Sequence, residues 1–145
     1  MKKLKMLVVL AIAFASCTTD SNQTQEDLTL DATTRNAILS ELETQLTIEK
    51  GVPIKYDSYE VMHIDENYYL RARSGAYVTT TLLKENAEGI LVGLGVSCTS
   101  SSCAGSTTEC YPKWVDGVRP TCTPCTAGTK DCKRTITSGS VAIDQ

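Results

Sequence analysis

The stretch Tyr68-Tyr-Leu-Arg-Ala-Arg-Ser-Gly-Ala-Tyr-Val-Thr-Thr-Thr-Leu-Leu83 decides the fold. It is rich in aromatic and β-branched residues and lacks the i, i+4 apolar recurrence of a helix. A Ser74-Gly75 pair breaks it in the middle, so it reads as two strands, Tyr68–Arg73 and Ala76–Leu83, joined by a tight turn. Side chains of a strand alternate between faces. Tyr68, Leu70 and Ala72 therefore share one face, and Tyr69, Arg71 and Arg73 share the other. The second set reads as an exposed aromatic and basic patch whose replacement should barely move stability. Working outward, Ser58–Ile64 and Gly89–Ser97 have the same character, and 65–67 and 85–89 supply polar turns. The expectation is an antiparallel meander. In its last strand Ile90, Val92, Leu94 and Val96 form a continuous apolar face, while Gly93 and Gly95 leave the other nearly bare. Such bareness suits close approach of a helix, a bulge or a shallow ligand groove.

Upstream, residues 31–50 carry helical punctuation. Thr33 or Thr34 is placed to cap the start, Ile38, Leu42 and Leu46 recur every four residues, and Gly51 and Pro53 end the run. Ala37, Leu39 and Ile48 broaden the apolar side, and Arg35, Glu41, Glu43 and Lys50 lie on the solvated one. The fold class is accordingly α+β: an N-terminal helix packed on a small antiparallel meander over 31–97, followed by a cysteine-rich, disulfide-stapled extension over 98–145.

That extension holds Cys98, Cys103, Cys110, Cys122, Cys125 and Cys132 among Ser, Thr, Gly, Pro, Lys and Asp. With almost no apolar residues of its own, it needs cross-links or metal to be ordered. Six cysteines in an exported chain argue for three disulfides, and 15 pairings remain open. The alternative is zinc: Cys98-x4-Cys103 with Cys122-x2-Cys125 resembles the two knuckles of a zinc ribbon, and four thiolates are what structural zinc binds. Cys122-Thr-Pro-Cys125 also resembles the dithiol of thioredoxin-type oxidoreductases. Residues 126–132 have no helical stripe to activate it, however, so the two cysteines are expected to bridge to different partners.

The N-terminus carries an address. Lys2, Lys3 and Lys5 precede an apolar run, Met6 to Ala15, too short to span a bilayer. The run stops at Ala15-Ser16-Cys17. This junction resembles the lipobox of bacterial lipoproteins, and Ser16-Cys-Thr-Thr-Asp20 is similar to the mature start of Bacteroidetes lipoproteins. The resemblance implies a signal peptide over 1–16 removed by signal peptidase II, and three acyl chains on Cys17 as a membrane anchor, palmitate among them. Thr18 after the cysteine implies the outer membrane. Residues 17–30 then form the lipidated cysteine and a polar, flexible tether.

The chain has 145 residues, 21% of them charged, enough for one small domain. Loss of the three leader lysines takes the net charge from −3 to −6, and no basic tract argues for nucleic acid. No phosphate-binding glycine loop, serine elbow or His-Glu-x-x-His is present. His63 stands alone, and Asp65 and Glu66 sit in a turn, where acids occur for backbone reasons. No catalytic residue and no cofactor is expected. The expected role is a structural or binding one in the cell envelope, facing a glycan or an envelope protein. Tyr69, Arg71, Arg73, Tyr111 and Trp114 are its candidate contacts, because aromatic rings offer an apolar face with a polar tip. The alternative is a metal-binding or thiol-redox cysteine module.

Overall fold

The computed structural model describes residues 30–106, 108–115, 117, 119–126 and 131–137. The leader, Cys17 and the tether up to residue 29 lie outside the described residues. The helix α1 spans Ala32–Lys50. Its cap is Asp31, not a threonine: the carboxylate accepts the Thr34 N–H at 2.9 Å. This bond holds the Asp31 carboxyl below its ordinary range, and an anion at the positive end of the helix is favourable. Gly51 ends the helix in the left-handed region (φ 70°), donating its N–H to Thr47 O. Ile38, Leu42 and Leu46 are buried as the spacing requires. The stripe is narrower than expected, because Ala37 is exposed and Ile48 is 77% exposed. Glu43 leaves the solvated side to accept the Tyr56 N–H at 2.9 Å and Lys55 Nζ at 2.5 Å, pinning the chain after the helix.

Seven strands follow: β1 Ser58–Ile64, β2 Asn67–Ser74, β3 Tyr77–Glu85, β4 Leu91–Ser100, β5 Pro112–Val115, β6 Arg119–Cys122 and β7 Lys133–Ile136. The five-stranded antiparallel sheet runs β1-β2-β3-β4-β7, and β5-β6 is a separate hairpin. The first four strands are the expected meander. The extension expected from Cys98 begins inside β4, which continues to Ser100 because Cys98 and Thr99 pair with β3 on one side and β7 on the other. β7 joining the sheet was not anticipated; its four residues are too few and too polar to read as a strand.

The sheet is covered on both faces. On one, Leu70, Leu83 and Leu91 pack against Ile38 and Leu42, with Tyr56 and Tyr68 alongside. The two glycines of β4 divide the readings given for them. A Cβ at Gly93 would lie 3.1 Å from Ile38 Cδ1, so glycine there lets the helix approach. Gly95 (φ 72°) lies where the β3/β4 register jumps, between the Thr81–Ser97 and Leu83–Gly93 pairs, and serves a bulge. The face judged bare is thus the one under the helix. Leu91 is fully buried there, whereas Val92, Leu94 and Val96 are only half-buried and Ile90 is exposed.

The other face, carrying Tyr69, Arg71, Val78 and Cys98, lies under the cysteine-rich lobe. Tyr69 is 2% exposed and Arg71 0%. The expectation of an exposed patch at Tyr69, Arg71 and Arg73 is therefore corrected. Strand alternation separates two faces but does not say which is wet; a long polar segment stapled over the sheet made this one dry.

Candidate functional site

Three bridges order the lobe: Cys98–Cys122, Cys103–Cys125 and Cys110–Cys132. The pairing is fully interleaved, each loop enclosing one end of the other two. Cys98, Cys103, Cys110 and Cys125 pack with Val78 into a small buried cluster, so sulfur takes the place of the hydrocarbon the segment lacks. Cys122 and Cys125 bridge to different partners, as their context suggested, and so do not form a vicinal dithiol pair. The four cysteines of the zinc alternative divide into two groups: Cys98 and Cys122 lie with Cys132, and Cys103 and Cys125 with Glu109.

Asp131 ties the far end of the lobe down. Its carboxylate accepts from Ser100 Oγ (2.7 Å), Ser101 Oγ (2.8 Å) and the Ser101 and Ser102 N–H groups (2.9 and 2.8 Å). Desolvation pushes its pKa upward, but these hydrogen bonds outweigh it and hold the carboxyl well below the usual carboxylate range. Asp131 was not recognised as important in the sequence, since an acid in a polar loop carries no signal of its partners.

Arg71 and Arg73 connect β2 to the lobe. Arg71 Nη1 donates to Thr80 Oγ1 (2.7 Å) and Glu109 O (2.9 Å), and Nη2 to Ser106 O (2.5 Å). Arg73 donates to Ala104 O and to Ser106 O, the latter at 3.2 Å, and meets Glu60 at 3.5 Å. Burial, then the charge of Arg73, lowers the Arg71 pKa to about 10, so it remains a cation at neutral pH. A rigid fork of donors suits this task, because a loop without regular structure leaves carbonyls that need partners. Tyr69 adds a hydrogen bond from its hydroxyl to Pro112 O (3.0 Å), and its ring meets Tyr111 edge-on at 5.4 Å. Burial pushes the Tyr69 phenol up to about 12. Tyr111 is half-buried by this contact, and its backbone is paired with Thr123.

Of the five candidate contacts only Trp114 projects substantially, at 44% exposed, with Val115 beside it at 48%. Both lie on the β5-β6 hairpin, where Trp114 pairs with Pro120 and Val115 with Arg119. Lys113 and Arg119, which were not singled out in the sequence, are exposed on the same hairpin. Lys113 lies 3.8 Å from Asp65 and Arg134 donates to Pro120 O at 3.2 Å, so both sides of the hairpin touch the sheet. His63 stacks on Tyr68 (4.6 Å), its cross-strand partner. Among the described residues no helix is long and apolar enough to cross a membrane.

Comparison with known proteins found no matching family model, no matching curated protein and no matching solved structure.

Proposed function

We propose that the chain is a lipid-anchored cell-envelope protein, held to the outer membrane through Cys17, that binds a glycan or an envelope protein through its β5-β6 hairpin. One observation supports this above others: Trp114 and Val115 are exposed together, flanked by Lys113 and Arg119, on a hairpin clamped at its base. Cys122 within β6 is bridged to Cys98 in β4, and the chain entering β5 is held by Cys110 and by the Tyr69 hydroxyl. An aromatic anchor on a pre-ordered element loses little entropy on binding, which is what makes such residues hot spots. The acidic net charge after leader removal disfavours nucleic acid as the partner.

Two measurements test this. Labelled palmitate should enter the protein, and Cys17→Ala should abolish incorporation; unchanged labelling would remove the anchor. In the Trp114→Ala/Val115→Ala double variant, stability should stay within about 0.5 kcal/mol of the parent. Binding to immobilised envelope glycan or envelope protein fractions should weaken by about 2 kcal/mol, roughly 30-fold. Undiminished binding by a folded double variant would exclude the hairpin.

A further inference from the structure

Among the described residues, the two arginines that fasten the lobe meet few carboxylates directly. Their hydrogen bonds, apart from one, go to neutral oxygens: Thr80 Oγ1 and the carbonyls of Ala104, Ser106 and Glu109. Among the described residues the one carboxylate within ion-pair distance of either guanidinium is that of Glu60. It is half exposed and meets Arg73 at 3.5 Å, and its charge and that of Glu109 act on Arg71 from farther off. A pair so exposed is worth about 0–1 kcal/mol and is readily exchanged. Arg71 Nε, moreover, is buried with no hydrogen-bond partner. A buried guanidinium with an unmade hydrogen bond is costly, and an anion bound nearby would stabilise its charge.

There is room for one. Ser58, Tyr59, Glu60, Arg71 and Arg73 line a cleft of about 150 Å³. At roughly 30 Å³ for each water it has the capacity of about five, enough for a single carboxylate or tetrahedral oxyanion. Arg71 forms its floor, since that residue is fully buried, while Arg73 and Glu60 reach the surface. The opening faces the edge strand β1, whose residues are mostly exposed, so an oxyanion carried on a larger ligand could enter as well as a free one.

We propose that this cleft is a binding site for a small oxyanion, which displaces the Glu60 carboxylate and is held by Arg73 over the buried charge of Arg71. Glu60 lies at the mouth of the site as an internal competitor. The site is separate from the Trp114 hairpin, and its test does not depend on that reading.

The test titrates inorganic sulfate, phosphate and acetate into the full disulfide-bonded chain at fixed ionic strength, with chloride as reference, read by calorimetry and by thermal unfolding. At least one of the three oxyanions should bind and raise the unfolding temperature above the chloride value. Glu60→Gln should tighten that binding about fivefold, by removing the competing carboxylate, and Arg73→Gln should weaken it about tenfold. Both variants keep the Arg71 side chain and its hydrogen bonds, and replacement of Arg71 itself endangers folding. A response to acetate alone assigns the cleft to carboxylates, and a response to sulfate or phosphate alone to tetrahedral anions. Failure of all three to exceed chloride, or binding indifferent to both Glu60→Gln and Arg73→Gln, would overturn the proposal.

Discussion

Replacing Arg71 with methionine should destabilise the protein by about 3–5 kcal/mol, the largest effect expected of any single side chain outside the disulfides. The change keeps most of the volume and removes a buried charge, which in other settings is neutral or even favourable. Here the partners decide the sign. Thr80 Oγ1, Ser106 O and Glu109 O all accept from this guanidinium; Arg73 still reaches Ser106 O, but Thr80 Oγ1 and the Glu109 carbonyl, which no side-chain substitution can remove, lose their donor. Each acceptor stranded in a dry interface costs about 1–3 kcal/mol. Arg71→Lys should fall between, since an ammonium keeps the charge but not the planar fork. Arg73→Ala should cost less, because its side chain is partly solvated and water can replace it. Denaturant unfolding with the bridges intact measures all three. A shift below about 1 kcal/mol for Arg71→Met would mean that the lobe does not rest on Arg71.

Removal of one bridge should cost nearly as much, and removal of all three should unfold the chain. The bridges span sequence separations of 24, 22 and 22 residues. For loops of this length the chain-entropy estimate is about 3–4 kcal/mol each. Because the three interleave, the later ones close chain already constrained and contribute less than the first. Their joint effect is still comparable with the 5–15 kcal/mol that holds a typical domain folded. Cys98→Ala/Cys122→Ala should therefore lose about 3–4 kcal/mol, and full reduction with alkylation should abolish near-ultraviolet circular dichroism at 37 °C. Intact mass with thiol alkylation gives the companion result. None of Cys98, Cys103, Cys110, Cys122, Cys125 and Cys132 should react before reduction, and all six should react afterwards. Stoichiometric zinc with four thiols that become reactive on chelation would replace the disulfide framework with the metal alternative.

What is written in the sequence and what is not differ in the range of the interaction concerned. Helix α1 and strands β1 to β4 were legible because their signals are local. Ile38, Leu42 and Leu46 mark one helix face by spacing alone, and tight turns around Asp65 and Gly75 punctuate the meander. Even there, competing local signals misled: Asp31 caps the helix ahead of two threonines, because its carboxylate reaches the Thr34 N–H directly. Three disulfides were likewise legible from an even cysteine count in a stretch with nothing else to hold it, but the pairing was not. A bridge forms where Cα atoms come within about 6 Å, which depends on how the lobe folds over β3 and β4.

By itself, then, the sequence determined the α+β class, the order of the first five elements, the need for three cross-links and the division of β2 into two faces. Tertiary structure alone decided which of those faces is wet. Periodicity is a property of the backbone and is written into consecutive residues. Solvation depends on what covers a surface, and the cover for Tyr69 and Arg71 comes from residues 35 to 43 positions away, Ser106, Glu109 and Pro112, whose polar backbone advertises no apolar face to match. The same placement turned two strand arginines from a surface patch into a buried anchor with a cleft beside it. It also left Trp114, at 44% exposed, to meet solvent where Tyr69 does not.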